Sequence, residues 1–310
     1  MKTKGIHSIS LSVSNIERAL LFYRDYAGFK VIMEDELRSE WVCSLWKLPS
    51  GVSAHRVVLK GDLRETVLEL VQFKPGTTRK IREGASPWDY GVYCFTFLVK
   101  DVDLLYRDLS RSWYQFVTPP IQYQPNLVSW PVKEVTVIAD DGILIDNFMR
   151  VKAEDYPTPN NVVRLDHSAW MVDSYDRVKK FFINVAGLDQ GPEMAIPEGL
   201  IDGVILLPKG HRINTCFFSK KDENSLVIEC LNISMKGKSL ANRSRPPNLG
   251  IFQYSFEVEE LEMVIEKCRT NKFHIIGGPV QITTEHHGSM RAITVDGPLG
   301  VMFEFFQRMK

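Results

Sequence analysis

Apolar positions along the chain recur with two periods, and the switch from one to the other is repeated. In GIHSISLSVSNIERALLFYRDYAGFKV (Gly5–Val31), a short alternating run is followed by Ser14 and then by an amphipathic stretch. Its apolar stripe is Ile16, Ala19, Leu20 and Tyr23. That spacing predicts a strand followed by a helix, with Ser14 as the N-cap and Gly28 as the C-terminal stop. A second copy, RLDHSAWMVDSYDRVKKFFINVAGLDQ, starts at Arg164 and ends at Gln190. Here Val178, Phe181, Phe182 and Val185 form the stripe and Gly187 the stop. Gly91–Leu109 and Gly250–Cys268 are weaker copies that again read as strand then helix.

Each copy closes on a β-rich tail: TVLELVQF (Thr66–Phe73), GILIDNFM (Gly142–Met149), SLVIECLN (Ser225–Asn232) and GVMFEFFQ (Gly300–Gln307). Each tail holds one carboxylate within an apolar run. The pattern is therefore an α+β chain in which a β-α unit followed by several strands occurs four times. The second half repeats the first at a nearly constant offset. His7 to His167, Glu69 to Glu229 and Tyr93 to Gln253 are each 160 positions apart, and Asp146 to Glu304 is 158. The proline-bearing KAEDYPTPNN (Lys152–Asn161) separates the halves. The expected domains are an N-terminal one over 1–151 and a C-terminal one over 162–310.

Charge narrows the partners. Lys+Arg and Asp+Glu balance at 38 each, so the broad positive field of non-specific nucleic-acid binding is missing. Neither nucleic acid nor membrane is expected, since no apolar stretch approaches membrane-spanning length. Five cysteines, an odd number with no CxxC pair, argue against a disulfide framework and a thiolate zinc site. With no apolar leader at the N-terminus, the expectation is a reduced, cytoplasmic protein. Phosphate-binding loops and serine-hydrolase or HExxH motifs are absent, so nothing points to nucleotide binding or those hydrolytic chemistries.

The repeated polar positions carry the candidate chemistry. The first half offers His7, Glu69, Tyr93 and Asp146; the second offers His167, Glu229, Gln253 and Glu304. One imidazole, two carboxylates and one amide suit a divalent cation such as Fe, Mn, Zn, Ni or Co. A carboxylate buried in an apolar strand is expensive unless something compensates its charge. His167, Glu229, Gln253 and Glu304 are therefore the expected metal ligands. Tyr93 and Asp146 are poorer ligands than Gln253 and Glu304, which makes the first half a degenerate copy.

At these residues, and over nearly the whole chain, the sequence resembles the vicinal oxygen chelate superfamily of glyoxalases, bleomycin-resistance proteins and extradiol dioxygenases. GIHSISLSVSNIERALLFYRDYAGF and ITVDGPLGVMFEFF carry the resemblance most specifically. It implies four βαβββ modules forming two open, U-shaped β-barrels with helices outside. The four-module layout is similar to the extradiol dioxygenases, but Gln253 stands where they have a second iron-binding His. The set is closer to glyoxalase I, which implies a metal-dependent lyase or isomerase. Its small, aromatic or apolar substrate would be chelated through vicinal oxygens, with Glu229 or Glu304 moving the proton. A ring-cleaving dioxygenase with a Gln-altered iron site, and a metal-free binding protein of the bleomycin-resistance type, are the alternatives. The resemblance adds His286 as an acid/base candidate and leaves a homo-oligomer open. In some members modules pair across the chain, first with fourth, which would join His7 and Glu69 to Gln253 and Glu304.

Overall fold

The computed structural model describes residues 3–125, 130–152, 155–221, 224–284 and 288–309. Four modules follow one another. The first holds β1 (Ser8–Ser12), α1 (Ile16–Leu20), β2 (Lys30–Leu37), α2 (Ser39–Trp46), β3 (Ser53–Lys60) and β4 (Val67–Lys74). The second holds β5 (Gly91–Val99), α3 (Val102–Leu109), β6 (Gln115–Phe116), β7 (Ile121–Tyr123), β8 (Val132–Ile138) and β9 (Leu144–Arg150). The third holds β10 (Val162–Met171), α4 (Tyr175–Lys179), β11 (Asp189–Ile196), β12 (Ile213–Ser219) and β13 (Val227–Ile233). The fourth holds β14 (Gly250–Glu257), α5 (Leu261–Asn271), β15 (His274–Thr284), β16 (Gly288–Asp296) and β17 (Met302–Arg308).

Local chemistry explains the repeated start. In β1, alternation sends Ile9 and Leu11 into the core, while Ser10 donates to the Glu69 carboxylate at 2.8 Å. The N-cap of α1 is Asn15, one residue beyond the expected Ser14. Its side chain accepts from the Arg18 amide at 2.9 Å, whereas the Ser14 hydroxyl donates to Asp141 at 2.7 Å. Both α1 and α4 widen into a π-helical turn, over Leu21–Tyr26 and Lys180–Val185. Gly28 and Gly187 then reverse the chain at φ of +78° and +71°, a region where a side chain would clash with the backbone.

The strands form two curled mixed sheets. The first has eight strands in the order β15-β16-β17-β14-β1-β4-β3-β2. The second has nine, ordered β11-β12-β13-β10-β5-β9-β8-β6, with β7 paired to β8. The first sheet thus joins the first and fourth modules, and the second joins the second and third. The sequence halves 1–151 and 162–310 do not each close a sheet; each sheet draws one module from either half. The joints are the antiparallel pairs β1/β14 and β5/β10.

The outer faces of the two sheets share one core with the helices. Trp170 of the second sheet lies 5.3 Å from Tyr254 and 5.9 Å from Phe303 of the first, centroid to centroid. The Ser168 and Tyr254 hydroxyls share a 2.6 Å hydrogen bond across this junction. The inner faces diverge. Helix α2 buries Val42, Leu45 and Trp46 in the first sheet's hollow, against Phe73, Phe252 and Met302. In the second sheet the turns over residues 197–207 only roof the hollow with Val204, Ile205 and Leu207. Among the described residues no helix is long and apolar enough to cross a membrane, and all five cysteines are free thiols.

Candidate active site

The four expected ligands divide two and two. Gln253 (β14) and Glu304 (β17) belong to the first sheet; His167 (β10) and Glu229 (β13) belong to the second. They are therefore not one cluster, because module pairing crosses the halves. Gln253 is nearly fully buried, and its side-chain oxygen accepts from the Trp46 indole N–H at 2.7 Å. Glu304 faces Arg56 and Glu69; burial, and then the Glu69 charge, raise its carboxyl to about 7. The space left beside it is about 30 Å³, close to the volume of one water. His7 packs edge-on to Phe306 at 5.1 Å. His286 lies outside the described residues.

The equal offsets in sequence conceal a slip of one residue in space. In the parallel pair β1/β4, Ser8 stands opposite Val67; in β10/β13, His167 stands opposite Val227. Ser8, not His7, occupies the place equivalent to His167. Likewise Gln253 faces Ser10 as Cys94 faces Ala169, so Cys94 rather than Tyr93 is its counterpart. Bulges interrupt the register of β1/β14 and β5/β10, and one extra residue re-aims the side chains beside it.

With that correction, one constellation stands out. The second sheet encloses a cavity of about 330 Å³ whose floor carries His167, Glu229, Asp146 and Cys94. Each comes from a different strand: β10, β13, β9 and β5. The His167 Nδ1 lies 3.2 Å from Asp166, and its Nε2 lies 3.4 Å from Glu229. Asp166 is also gripped by Arg164 at 2.7 Å and by Arg64 of the first module at 3.6 Å. Thr215 donates to Glu229 at 3.0 Å and Thr136 to Asp146 at 3.1 Å. Higher on the wall, Tyr123 donates to Glu134 at 2.6 Å. The Thr96 hydroxyl also faces the cavity.

Charges and burial set the protonation states. Burial opposes the imidazolium of His167, but the Asp166 hydrogen bond and the Glu229 carboxylate outweigh it and raise the ring to about 9. The Asp166 carboxyl resists burial and is held well below its usual range by His167 and Arg164. Asp146 is raised by burial to about 6, the His167 charge partly offsetting it. Burial and then the Asp146 charge raise Glu134 to about 8, so it is a neutral acid near pH 7. A charged imidazole, carboxylates and a neutral carboxyl thus share one apolar-walled hollow, an arrangement suited to moving a proton on a bound molecule.

A divalent cation fits this floor in donor chemistry. His167, Glu229, Asp146 and Cys94 are nitrogen, oxygen and sulfur ligands, and the carboxylate on His167 Nδ1 is the usual support for a metal-bound ring. As placed, however, His167 and Glu229 point at each other. Among the described residues, no three His, Cys, Asp or Glu side chains close on one point.

Residues 5–127 match the family described as Glyoxalase/Bleomycin resistance protein/Dioxygenase superfamily. Over that stretch the chain is similar to the superfamily. Over the whole length the chain is similar in fold to solved structures. Glyoxalase I from Zea mays superposes with a TM-score of 0.62 at 13% identity, covering 98% of this chain and 92% of that one. A mutant of the same maize enzyme gives 0.66 at 12%, with coverages of 98% and 92%. A putative dioxygenase from Bacillus subtilis subsp. subtilis str. 168 gives 0.61 at 11%, with coverages of 100% and 86%. At these identities the likeness is one of fold. None of the curated proteins matches the sequence.

Sequence reasoning placed His167 and Glu229 at the cavity, assigned Asp146 to a degenerate half, and passed over Cys94, Asp166 and Glu134. The signals existed. Asp166 directly precedes His167. Glu134 is a carboxylate inside an apolar strand, as the four chosen ones were.

Proposed function

We propose that the chain is a glyoxalase-like lyase or isomerase acting, in the second-sheet cavity, on a small oxygenated molecule with an apolar or aromatic body. The observation that carries this reading is the His167–Glu229–Asp146 floor at the base of an apolar hollow. His167, Glu229, Asp146 and Cys94 would hold a divalent cation. When bound, such an ion withdraws electrons from two neighbouring substrate oxygens and acidifies the adjoining C–H. Glu229 takes that proton: the C–H bond breaks, a carboxyl O–H forms, and the electron pair moves to the carbonyl oxygen. Held as a ligand, the His167 ring would be neutral, with Asp166 accepting from Nδ1–H and aiming Nε2 at the cation. Glu229 returns the proton to the neighbouring carbon while the substrate's hydroxyl gives its proton to the first oxygen and becomes the new carbonyl. Thr215 keeps the carboxylate oriented throughout.

The test is solvent deuterium incorporation into α-hydroxy ketones and aldehydes, followed by NMR, with Mn, Co, Ni, Zn or Fe(II) added. Wild type exchanges the C–H and His167→Ala does not; failure of every compound to exchange overturns the reading. Oxygen uptake with catechols under Fe(II) would instead indicate ring cleavage. A metal-free binding protein is the second reading, favoured by the absence of three converging donors among the described residues. Protein purified without chelator and devoid of metal and turnover would support it.

A further inference from the structure

The carboxylate behind His167 is placed by an irregularity in β10. Adjacent residues of a regular strand point to opposite faces. Asp166 and His167 nevertheless both border the second-sheet cavity, and their side chains meet at 3.2 Å. Against β5 the pairing advances from Leu165 to His167 while the partner advances only from Phe97 to Thr96. Asp166 is therefore the extra residue of a bulge, which turns its carboxyl to the His167 side. The two carboxyl oxygens have different partners. Oδ2 faces Nδ1 of His167, and Oδ1 takes the guanidinium of Arg164 at 2.7 Å and that of Arg64 at 3.6 Å.

Arg64 comes from the other sheet, in the loop joining β3 to β4. That loop docks on the equivalent one between β12 and β13. The Glu65 N–H donates to the Asn224 carbonyl at 3.0 Å, and the Leu226 N–H to the Thr66 hydroxyl at 3.0 Å. Arg64 and Asn224 are 160 positions apart, the offset that also relates Glu69 to Glu229. They are counterparts across this joint, and they reach different things. Arg64 donates to the Ser225 carbonyl at 2.5 Å and extends to Asp166. Asn224 donates to the Leu63 carbonyl at 2.7 Å. The open hollow thus receives a cation from the opposite loop, where the closed one has an amide on backbone. The Arg64 side chain is 13% exposed against 26% for Arg164, so water screens its charge less. Burial disfavours that charge, and Asp166 is the carboxylate that offsets the cost.

We propose that Arg64 is a positioning residue for the open site. From the first sheet it holds Oδ1 of Asp166, which keeps Oδ2 on Nδ1 of His167 and fixes the direction of Nε2 at the cavity floor. Arg164 grips the same oxygen from two residues away on the same strand. A second guanidinium from a different element holds the carboxyl from another side, so that it cannot swing with its own strand. The chemistry of one sheet then depends on a loop of the other. This rests on the proposed use of the second-sheet cavity but not on the reaction or the metal.

The experiment is NMR of the full chain carrying nitrogen-15-labelled histidine, at one fixed pH, reading how fast the His167 Nδ1 proton exchanges with water. Its signal is assigned by its loss in His167→Ala. Arg64→Met keeps the apolar stem and removes the charge; it should speed the exchange about tenfold. Arg64→Lys keeps the charge and should recover most of the protection. Asn224→Ala loosens the same joint from the equivalent position and should leave the exchange unchanged. Melting curves on each variant confirm that it is folded, and Arg64→Gln repeats the measurement if Arg64→Met does not fold. In the deuterium-incorporation assay, Arg64→Met should lower kcat about tenfold with KM unchanged. An unaltered Nδ1 proton in Arg64→Met would overturn the assignment. So would equal acceleration in Asn224→Ala, which would reduce Arg64 to a fastener of the joint, or equal acceleration in Arg64→Lys and Arg64→Met, which would remove the role of its charge. Because the NMR reading needs neither substrate nor metal, absence of turnover leaves it standing, and the reverse also holds.

Discussion

The two sheets are built from the same strand plan and use their hollows in opposite ways. In the first, an inserted helix fills the space: α2 drives Trp46 between Phe73 and Phe252, and its indole caps Gln253. In the second, the equivalent connection between β11 and β12 stays outside as turns, and about 330 Å³ remains open. The floor residues differ accordingly. Ser8, Glu69, Gln253 and Glu304 form the closed site, and His167, Glu229, Cys94 and Asp146 the open one. The repeated strand plan gives two equivalent hollows, and one connection separates a packed core from an open cavity. Retaining a Glu at the closed site is therefore a poor indicator of function, because Arg56 and Ser10 there turn Glu69 into an internal structural group.

The contrast can be broken by moving chemistry and packing separately. The largest effect should come from His167→Ala, which removes the imidazolium and leaves Asp166 and Glu229 facing each other. Turnover should fall by about 10²–10⁴-fold, measured as deuterium exchange, while Glu304→Gln should retain it. Equal losses in both would mean that the closed site is in use.

Next in size, Trp46→Ala should destabilise the fold by about 3–5 kcal/mol in denaturant unfolding, through a cavity and an unsatisfied Gln253. A change under about 1 kcal/mol would show that α2 does not plug the first sheet.

Glu304→Gln should then reveal a pH dependence. The folded carboxyl titrates at about 7, against 4.5 for its unperturbed value. The folded state therefore binds its proton more tightly. Stability is full below 4.5 and declines as pH rises through about 7. Wild type should lose on the order of 3 kcal/mol between pH 4.5 and 8 through this group. The Gln variant should lack that component, and parallel melting curves across this range would count against it.

The smallest contrast concerns the paired helices. Asn15→Ala should cost about 1 kcal/mol, because the Asn15 side chain caps α1. Ser174→Ala should cost less, since Ser174 makes no such bond on α4.

Much of the architecture was legible locally. The helical stripes of α1 and α4, the stops at Gly28 and Gly187, and the carboxylates in β4, β9, β13 and β17 all follow from short-range periodicity. Three things did not follow. Which modules pair depends on contacts between β1 and β14, far apart in sequence, and on nothing that local pattern encodes. The spatial offset is 159 for Ser8/His167 and Cys94/Gln253 but 160 for Glu69/Glu229, a difference of one residue and enough to exchange Tyr93 for Cys94 and His7 for Ser8. The reading of the first half as degenerate and the second as active was overtaken by this crossing. Each hollow mixes the halves, so Asp146 of the first half lines the same cavity as His167 of the second. Finally, SEWVCSLW reads as one more amphipathic helix; only its position inside a curved sheet makes it a stopper.

The interleaved pairing also orders events during synthesis. Every strand of the second sheet lies between Gly91 and Ile233, one uninterrupted stretch of chain. The first sheet needs β1 at one end of the molecule and β14 at the other. As the polypeptide leaves the ribosome, the sheet bearing the open hollow can close while β1 still presents an unpaired edge, waiting for the last module. That interval is when the nascent protein is most exposed to mispairing with a neighbour, and a chaperone or a slow stretch of translation after Ile233 would act on β1 first.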